Sequence, residues 1–229
     1  MNIKTEANTA HVTMDPGERF FFKGSHLRGV SAFNWSLVPP YPFGSPIARA
    51  LHGCYFGMKY VDADTETRGV AITGHHPRGS FISIDVPPGH QYYVNARLLA
   101  GFSSRFEKIH THIKVAPVYW CVKKHFFPVF TGPGNILLYS ASPIQDSAAL
   151  EFQPERIAAF NIQRRFQAVP PAPTTVASQG INVFSRETIW RFLDGGQTFV
   201  ESHNFEEAHA GKGSLGHVLK HILLLRFLG

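Results

Sequence analysis

Short runs of β-branched and aromatic residues, bounded by Gly or Pro, dominate the pattern along the chain. Phe81-Ile82-Ser83-Ile84-Asp85-Val86, Ile109-His110-Thr111-His112-Ile113 and Asn135-Ile136-Leu137-Leu138-Tyr139 read as strands. Helical periodicity is scarce. One short helix is predicted from Ser45, an N-cap followed by Pro46 in the first turn, to its stop at Gly53. A second is predicted over His217 to Phe227. Residues 169–178, VPPAPTTVAS, are rich in Pro and small residues and suit a surface loop or linker. The resulting division is a β-rich body over 1–168, the Pro-rich loop over 169–178, and further strands with a C-terminal helix packing on the body over 179–229.

A repeat says more than any single motif. Val12-Thr13-Met14-Asp15-Pro16-Gly17-Glu18-Arg19-Phe20-Phe21-Phe22 is echoed by Ile84-Asp85-Val86-Pro87-Pro88-Gly89-His90-Gln91-Tyr92-Tyr93-Val94. Each reads as a strand, a Pro-Gly turn and an aromatic strand. A third copy runs from Phe192 through Gly195-Gly196 to Val200, and a fourth, without the Gly, from Gln153-Pro154 to Phe160. Pro16 and Pro88 would fix φ at the first turn position, and Gly17 and Gly89 would accept the positive φ that a type II turn demands next. Repeated hairpins of this kind imply a stacked all-β architecture.

Several stretches resemble the altered-inheritance-of-mitochondria protein twenty-four family: Gly69-Val70-Ala71-Ile72-Thr73, Pro77-Arg78-Gly79-Ser80-Phe81-Ile82-Ser83-Ile84, Pro88-Gly89-His90-Gln91-Tyr92-Tyr93-Val94 and Leu98-Leu99-Ala100. The likeness extends through Met14 to Glu18, Arg49 to Gly53 and Gly132 to Leu138, and covers most of the first 165 residues. These are Gly and apolar patterns, which report turns and strands rather than chemistry. The resemblance implies a fold like that of the tryptophan RNA-binding attenuation protein, a short variant of the double-stranded β-helix built of stacked antiparallel sheets. It also implies assembly through those sheets and a non-catalytic role. His52, His75, His76 and the proline-rich stretch before Gln179 depart from the family pattern.

Composition narrows the classes. Of 229 residues, 44% are hydrophobic and 17% charged, which supplies a large core and excludes wholesale disorder. Some of the surface carried by 20 Phe, 7 Tyr and 3 Trp is expected to face another subunit. No apolar run reaches the roughly 18 residues a membrane span requires. Met1 to Thr13 has no apolar stretch behind its charge, unlike a signal or transit peptide, so a cytoplasmic protein is expected. Cys54 and Cys121 read as reduced, buried thiols rather than a disulfide framework. A net charge of +6 favours polyanions, but the basic residues are scattered, with doublets only at Lys123-Lys124 and Arg164-Arg165.

Gly211-Lys212-Gly213-Ser214-Leu215-Gly216 spells the dinucleotide fingerprint, yet 13 residues follow it, too few for the second strand and its acidic residue. It reads as a Gly tether. His110 and His112 share one face of a strand, as metal ligands in cupins do, but no Glu follows at cupin spacing, and Lys114 continues the polar face. They read as a solvent-facing strip, with a metal site as the alternative. His75-His76 reads as a surface turn, and Asp62 with Asp64 as a solvated hairpin loop. In Val218 to Leu228, eight of eleven residues are apolar; the segment is expected to pack on the sheets or a neighbouring subunit, with membrane-surface association as the alternative.

The expectation is therefore an oligomeric, non-catalytic β-scaffold or binding protein with no cofactor and an unknown protein partner. Two alternatives stand beside it: RNA or single-stranded DNA binding by an attenuation-protein-like fold, and a cupin-like metal-dependent enzyme using His110 and His112. No residue is assigned a catalytic role.

Overall fold

The computed structural model describes residues 1–23, 37–38, 58–113, 126–169 and 189–202. The two predicted helices, Cys54, Cys121, Lys123-Lys124, the Pro-rich loop beyond Val169, Gly211 to Gly216 and Val218 to Leu228 lie outside the described residues.

Among the described residues the protein is all-β and antiparallel, with a single 3-10 turn at Pro154–Arg156. Its strands form four sheets, two outer ones of three strands and two inner ones of six. The chain climbs through them in a zigzag. β1 (Asn2–Glu6) and β2 (Thr9–Met14) begin the first outer sheet; β3 (Glu18–Lys23), β4 (Leu37–Val38) and β5 (Met58–Ala63) lie in the first inner sheet. β6 (Arg68–Thr73) returns to the first outer sheet, and β7 (Ser80–Val86) to the first inner one. β8 (Gln91–Val94) enters the second inner sheet, β9 (Leu99–Ser103) steps back, and β10 (Lys108–Ile113) and β11 (Phe126–Thr131) pair in the second. After β12 (Gly134–Ser140) in the first inner sheet, the chain stays in the upper half. β13 (Ile144–Ser147), β15 (Ile157–Asn161) and β18 (Thr198–Glu201) belong to the second inner sheet. β14 (Glu151–Phe152), β16 (Phe166–Val169) and β17 (Ile189–Phe192) make the second outer sheet.

The apolar runs fix this layering. A strand with one wet face alternates, whereas one buried on both faces reads as continuous apolar sequence. In β3, Phe20 and Phe22 join the core against the first outer sheet, with Val12, Met14 and Val70, while Phe21 points the other way into the central core. In β12, Leu137 and Tyr139 face outward and Ile136 and Leu138 inward. The second inner sheet repeats the arrangement: Tyr92 and Val94 enter the central core, and Tyr93 and Phe160 meet Trp190 and Phe192 of the second outer sheet. Three cores thus separate four layers. Each aromatic ring so buried removes apolar surface worth about 1.5–3 kcal/mol from water.

The repeated Pro-Gly segments are corners between layers, not hairpins. β2 pairs with β1 and β6 and β3 with β5 and β9, so the strands flanking Pro16-Gly17 do not pair with each other. Likewise β7 pairs with β12, and β8 with β11 and β15. The third copy carries the chain from β17 to β18, and the fourth from β14 to β15, in both cases from the second outer to the second inner sheet. The physical reason is turn geometry. A type II turn does not match the twist of a two-stranded ribbon, which favours primed turns, so it splays its strands and sends them into different sheets. The stretch 62–68, expected as a hairpin loop, instead spans the end of β5, residues 64–67 and the start of β6, and links one sheet to another.

Candidate functional site

Three of the four corners gather at one end of the stack. Asp15-Pro16-Gly17-Glu18 closes with a Glu18 N–H to Asp15 carbonyl bond of 3.1 Å, and Gly17 sits at φ +80°. Pro87-Pro88-Gly89-His90 closes the same way, His90 donating to the Pro87 carbonyl at 3.1 Å with Gly89 at φ +74°. Only a residue without a Cβ adopts those angles cheaply. Gln163 donates its amide to the Gly89 carbonyl at 3.3 Å, which brings the 162–165 turn against the second corner. The Arg165 N–H reaches the Asp194 carboxylate at 3.1 Å, adding the third corner.

Two charged clusters pin this end. Glu18, 6% exposed, accepts the Asp15 N–H at 2.7 Å, pairs with the Met1 ammonium at 2.9 Å, and meets the Arg105 guanidinium. The Met1 ammonium hydrogen-bonds to Asp15 and, together with its own charge and that of Arg105, holds the Asp15 carboxyl below the ordinary range. Burial works to lower the pKa of the ammonium, but its bonds to Asp15 and Glu18 outweigh that and raise it. The second cluster is built on Arg164, 7% exposed. Its guanidinium donates to the Thr198 hydroxyl and the Asp194 carbonyl, stands 3.5 Å from the Asp194 carboxylate, and lies 4.3 Å over the Phe192 ring.

Two recesses open beside these clusters. The first, about 420 Å³, lies along β3 and β5 and is lined by Glu18, Arg19, Asp62 and Asp64. Arg19 is committed there: it grips the Asp62 carboxylate and stacks 4.4 Å over Tyr60. Asp62, expected to be solvated in a loop, is instead a β5 side chain opposite Arg19 in the ladder. The second recess, about 380 Å³, lies on the outer face of the second inner sheet, beside the rim of the three-stranded sheet above it. Gln91, His110, Gln163 and Arg165 bring polar groups to its wall, and Val129, Ile162 and Phe166 bring apolar surface.

His110 is therefore half-buried in a recess rather than part of a solvent-facing strip, because the 162–166 turn folds over β10 and β11. His112 follows two residues on along the same strand; its side chain is outside the described residues. Among the described residues no three His, Cys, Asp or Glu side chains gather as a metal site would require. His75-His76 does form a turn. It is tied down by Tyr139, whose hydroxyl accepts the His76 N–H at 2.8 Å and lies 3.2 Å from its carbonyl as donor. Among the described residues no helix is long and apolar enough to cross a membrane. The Arg164 latch and the Glu18-Arg105 pair were not singled out from sequence; the one signal was the Arg164-Arg165 doublet, which hides one buried and one exposed cation.

No family model and no curated protein matches the sequence. Among solved structures, protein SPYM3_0169 from Streptococcus pyogenes is similar, with a TM-score of 0.61 over 91% of this chain and 96% of that one, at 12% sequence identity. At that identity the likeness is one of fold.

Proposed function

We propose that the protein is a non-catalytic β-scaffold that assembles with copies of itself, a divergent relative of the altered-inheritance-of-mitochondria protein twenty-four family. The observation that carries this reading is a pair of open sheet edges on one side of the stack. Among the described strands, β7 pairs only with β12 and β13 only with β18, so both inner sheets end without a further partner there. β7 carries little of the usual edge protection: seven residues, no Lys, no Pro, one charge, Asp85, and cover from Ala7 at its start. The Phe81 N–H, which faces away from β12, is taken by the Ala7 carbonyl at 3.2 Å. By the alternation of antiparallel ladders, the N–H groups of Ser83 and Asp85 face the same open side.

The charged residues support the non-catalytic half of the reading. Arg164, Arg19 and Glu18 each spend their hydrogen bonds on holding corners and strands in register.

Sedimentation velocity from 1 to 100 µM tests the proposal. A species heavier than the 25.5 kDa chain is expected, and Ser83→Pro is expected to return it to monomer. That proline removes an outward N–H and leaves the bonds to β12 intact, so an unchanged melting temperature accompanies the loss of assembly. A monomer across the whole concentration range would overturn the reading.

A further inference from the structure

We propose that the second recess, between the outer face of β8, β10 and β11 and the 162–166 turn, binds a compact organic anion: a phosphate or carboxylate on a short apolar or aromatic body. This goes beyond the assembly reading and stands without it.

Charge comes first. Arg164 and Arg165 stand on one side of the recess, and Asp194 is the acid paired with them, 3.5 Å from the Arg164 Nε and 3.9 Å from the Arg165 Nε. Two cations against one carboxylate leave a net positive wall, and among the described residues no Asp or Glu lines the recess itself. Arg164 is buried and engaged with Thr198, Asp194 and the Phe192 ring, so it contributes chiefly field rather than contacts. Arg165 is the opposite case. Its side chain is 77% exposed, its backbone is pinned at both ends by Asp194 and Leu193, and its planar fork suits a two-oxygen acceptor.

Shape and the remaining donors narrow the ligand. Gln91 and Gln163 stand at the recess, and the Gln163 amide is anchored on the Gly89 carbonyl, so its position is set by the second corner. Val129, Ile162 and Phe166 supply apolar wall, and Phe166 is held in place by stacking on Trp190 at 5.0 Å. A volume of about 380 Å³ falls within the range of small-molecule sites, and a lining more polar than is usual for them suits a charged ligand with only a short apolar body. The first recess has the contrary make-up: Glu18, Asp62 and Asp64 against Arg19, which is already paired. An anion is thus drawn to one recess and repelled by the other.

Titration of the full chain with three probes, followed by the amide shifts of residues 89–91 and 162–166 in two-dimensional NMR, tests the assignment. Phenyl phosphate is expected to bind saturably in the millimolar range or tighter, inorganic phosphate about tenfold more weakly, and benzyl alcohol not at all. Arg165→Ala, at an exposed position that leaves the fold intact, is expected to weaken phenyl phosphate about tenfold. Benzoate in place of phenyl phosphate separates the sources: equal binding marks a general carboxylate or phosphate site, and weaker binding marks a phosphate site. Shifts that stay linear to tens of millimolar, or an Arg165→Ala protein that binds as tightly as the parent, would overturn the proposal.

Discussion

The two halves of the stack perform one task with different materials. In each, a three-stranded sheet covers a six-stranded one, and a corner must return the chain from outer to inner layer. In the first half the corner is Asp15-Pro16-Gly17-Glu18, where Pro and Gly preset the turn, the buried Glu18 carboxylate pairs with Met1 and Arg105, and Asp15 stands largely in solvent. In the second half the corner is Asp194-Gly195-Gly196-Gln197. It has no Pro, and a buried arginine holds it through a hydroxyl, a carbonyl and a ring face. The cores differ in the same sense. The first is mixed, with Val12, Val70, Ile72 and Leu137 around Phe20 and Phe22, while the second is an aromatic cluster of Tyr93, Phe160, Phe166, Trp190 and Phe192. The first half joins backbone preorganisation to a buried carboxylate, whereas the second, without a proline, relies on a buried arginine and aromatic packing.

That contrast breaks most visibly at Phe160, whose ring meets those of Tyr93, Phe166, Trp190 and Phe192 at 5.1–6.1 Å. Phe160→Ala leaves a ring-sized void with no flexible neighbour to fill it, and is expected to cost about 3–5 kcal/mol in urea denaturation. Next comes Arg164→Ala. It strands the buried Thr198 hydroxyl and leaves the Asp194 carboxylate only the exposed Arg165 guanidinium at 3.9 Å, but Asp194 is a third exposed and water screens it, so a loss of about 2 kcal/mol is expected by the same assay. A loss as small as that of Arg165→Ala would show that the latch holds nothing.

Gly17→Ala and Gly89→Ala sharpen the comparison from the other side. Neither added Cβ meets an atom within 4 Å, so the expected loss of about 1–2 kcal/mol each is purely the cost of a positive φ. Asp15→Asn is the smallest effect and shows itself through pH. Because the folded carboxyl titrates below its unfolded value of about 3.9, its contribution is present above that value and fades as the pH falls toward the folded pKa. Parent and variant stabilities are therefore expected to converge between pH 5 and pH 2, and a gap that stays constant would remove Asp15 from the network.

The sequence announced the layers more clearly than their connections. Arg19-Phe20-Phe21-Phe22 and Ile136-Leu137-Leu138-Tyr139 lack alternation because both faces are buried, and that is a local property. The Pro-Gly chemistry was equally local. Which strand lies beside β2, however, is decided by β6, whose residues lie 54–64 positions beyond their β2 partners. The preference of two-residue hairpins for primed turns was the available clue that Pro16-Gly17 and Pro88-Gly89 are corners. The recess was illegible for the same reason. His110 looks like an exposed strand residue until a turn some fifty residues later folds over it, and Arg164 looks like its neighbour Arg165 until Asp194 and Thr198, some thirty residues later, close on it.

Amide hydrogen exchange at low and high protein concentration tests most directly whether stacked layers end in edges that join copies of the chain. The account predicts that Phe20–Phe22, Ile136–Leu138 and Tyr92–Val94 exchange slowly at both concentrations, and that Ser83 and Asp85 gain protection only at the higher one. Equal exchange of Ser83 and Asp85 at both concentrations would contradict it.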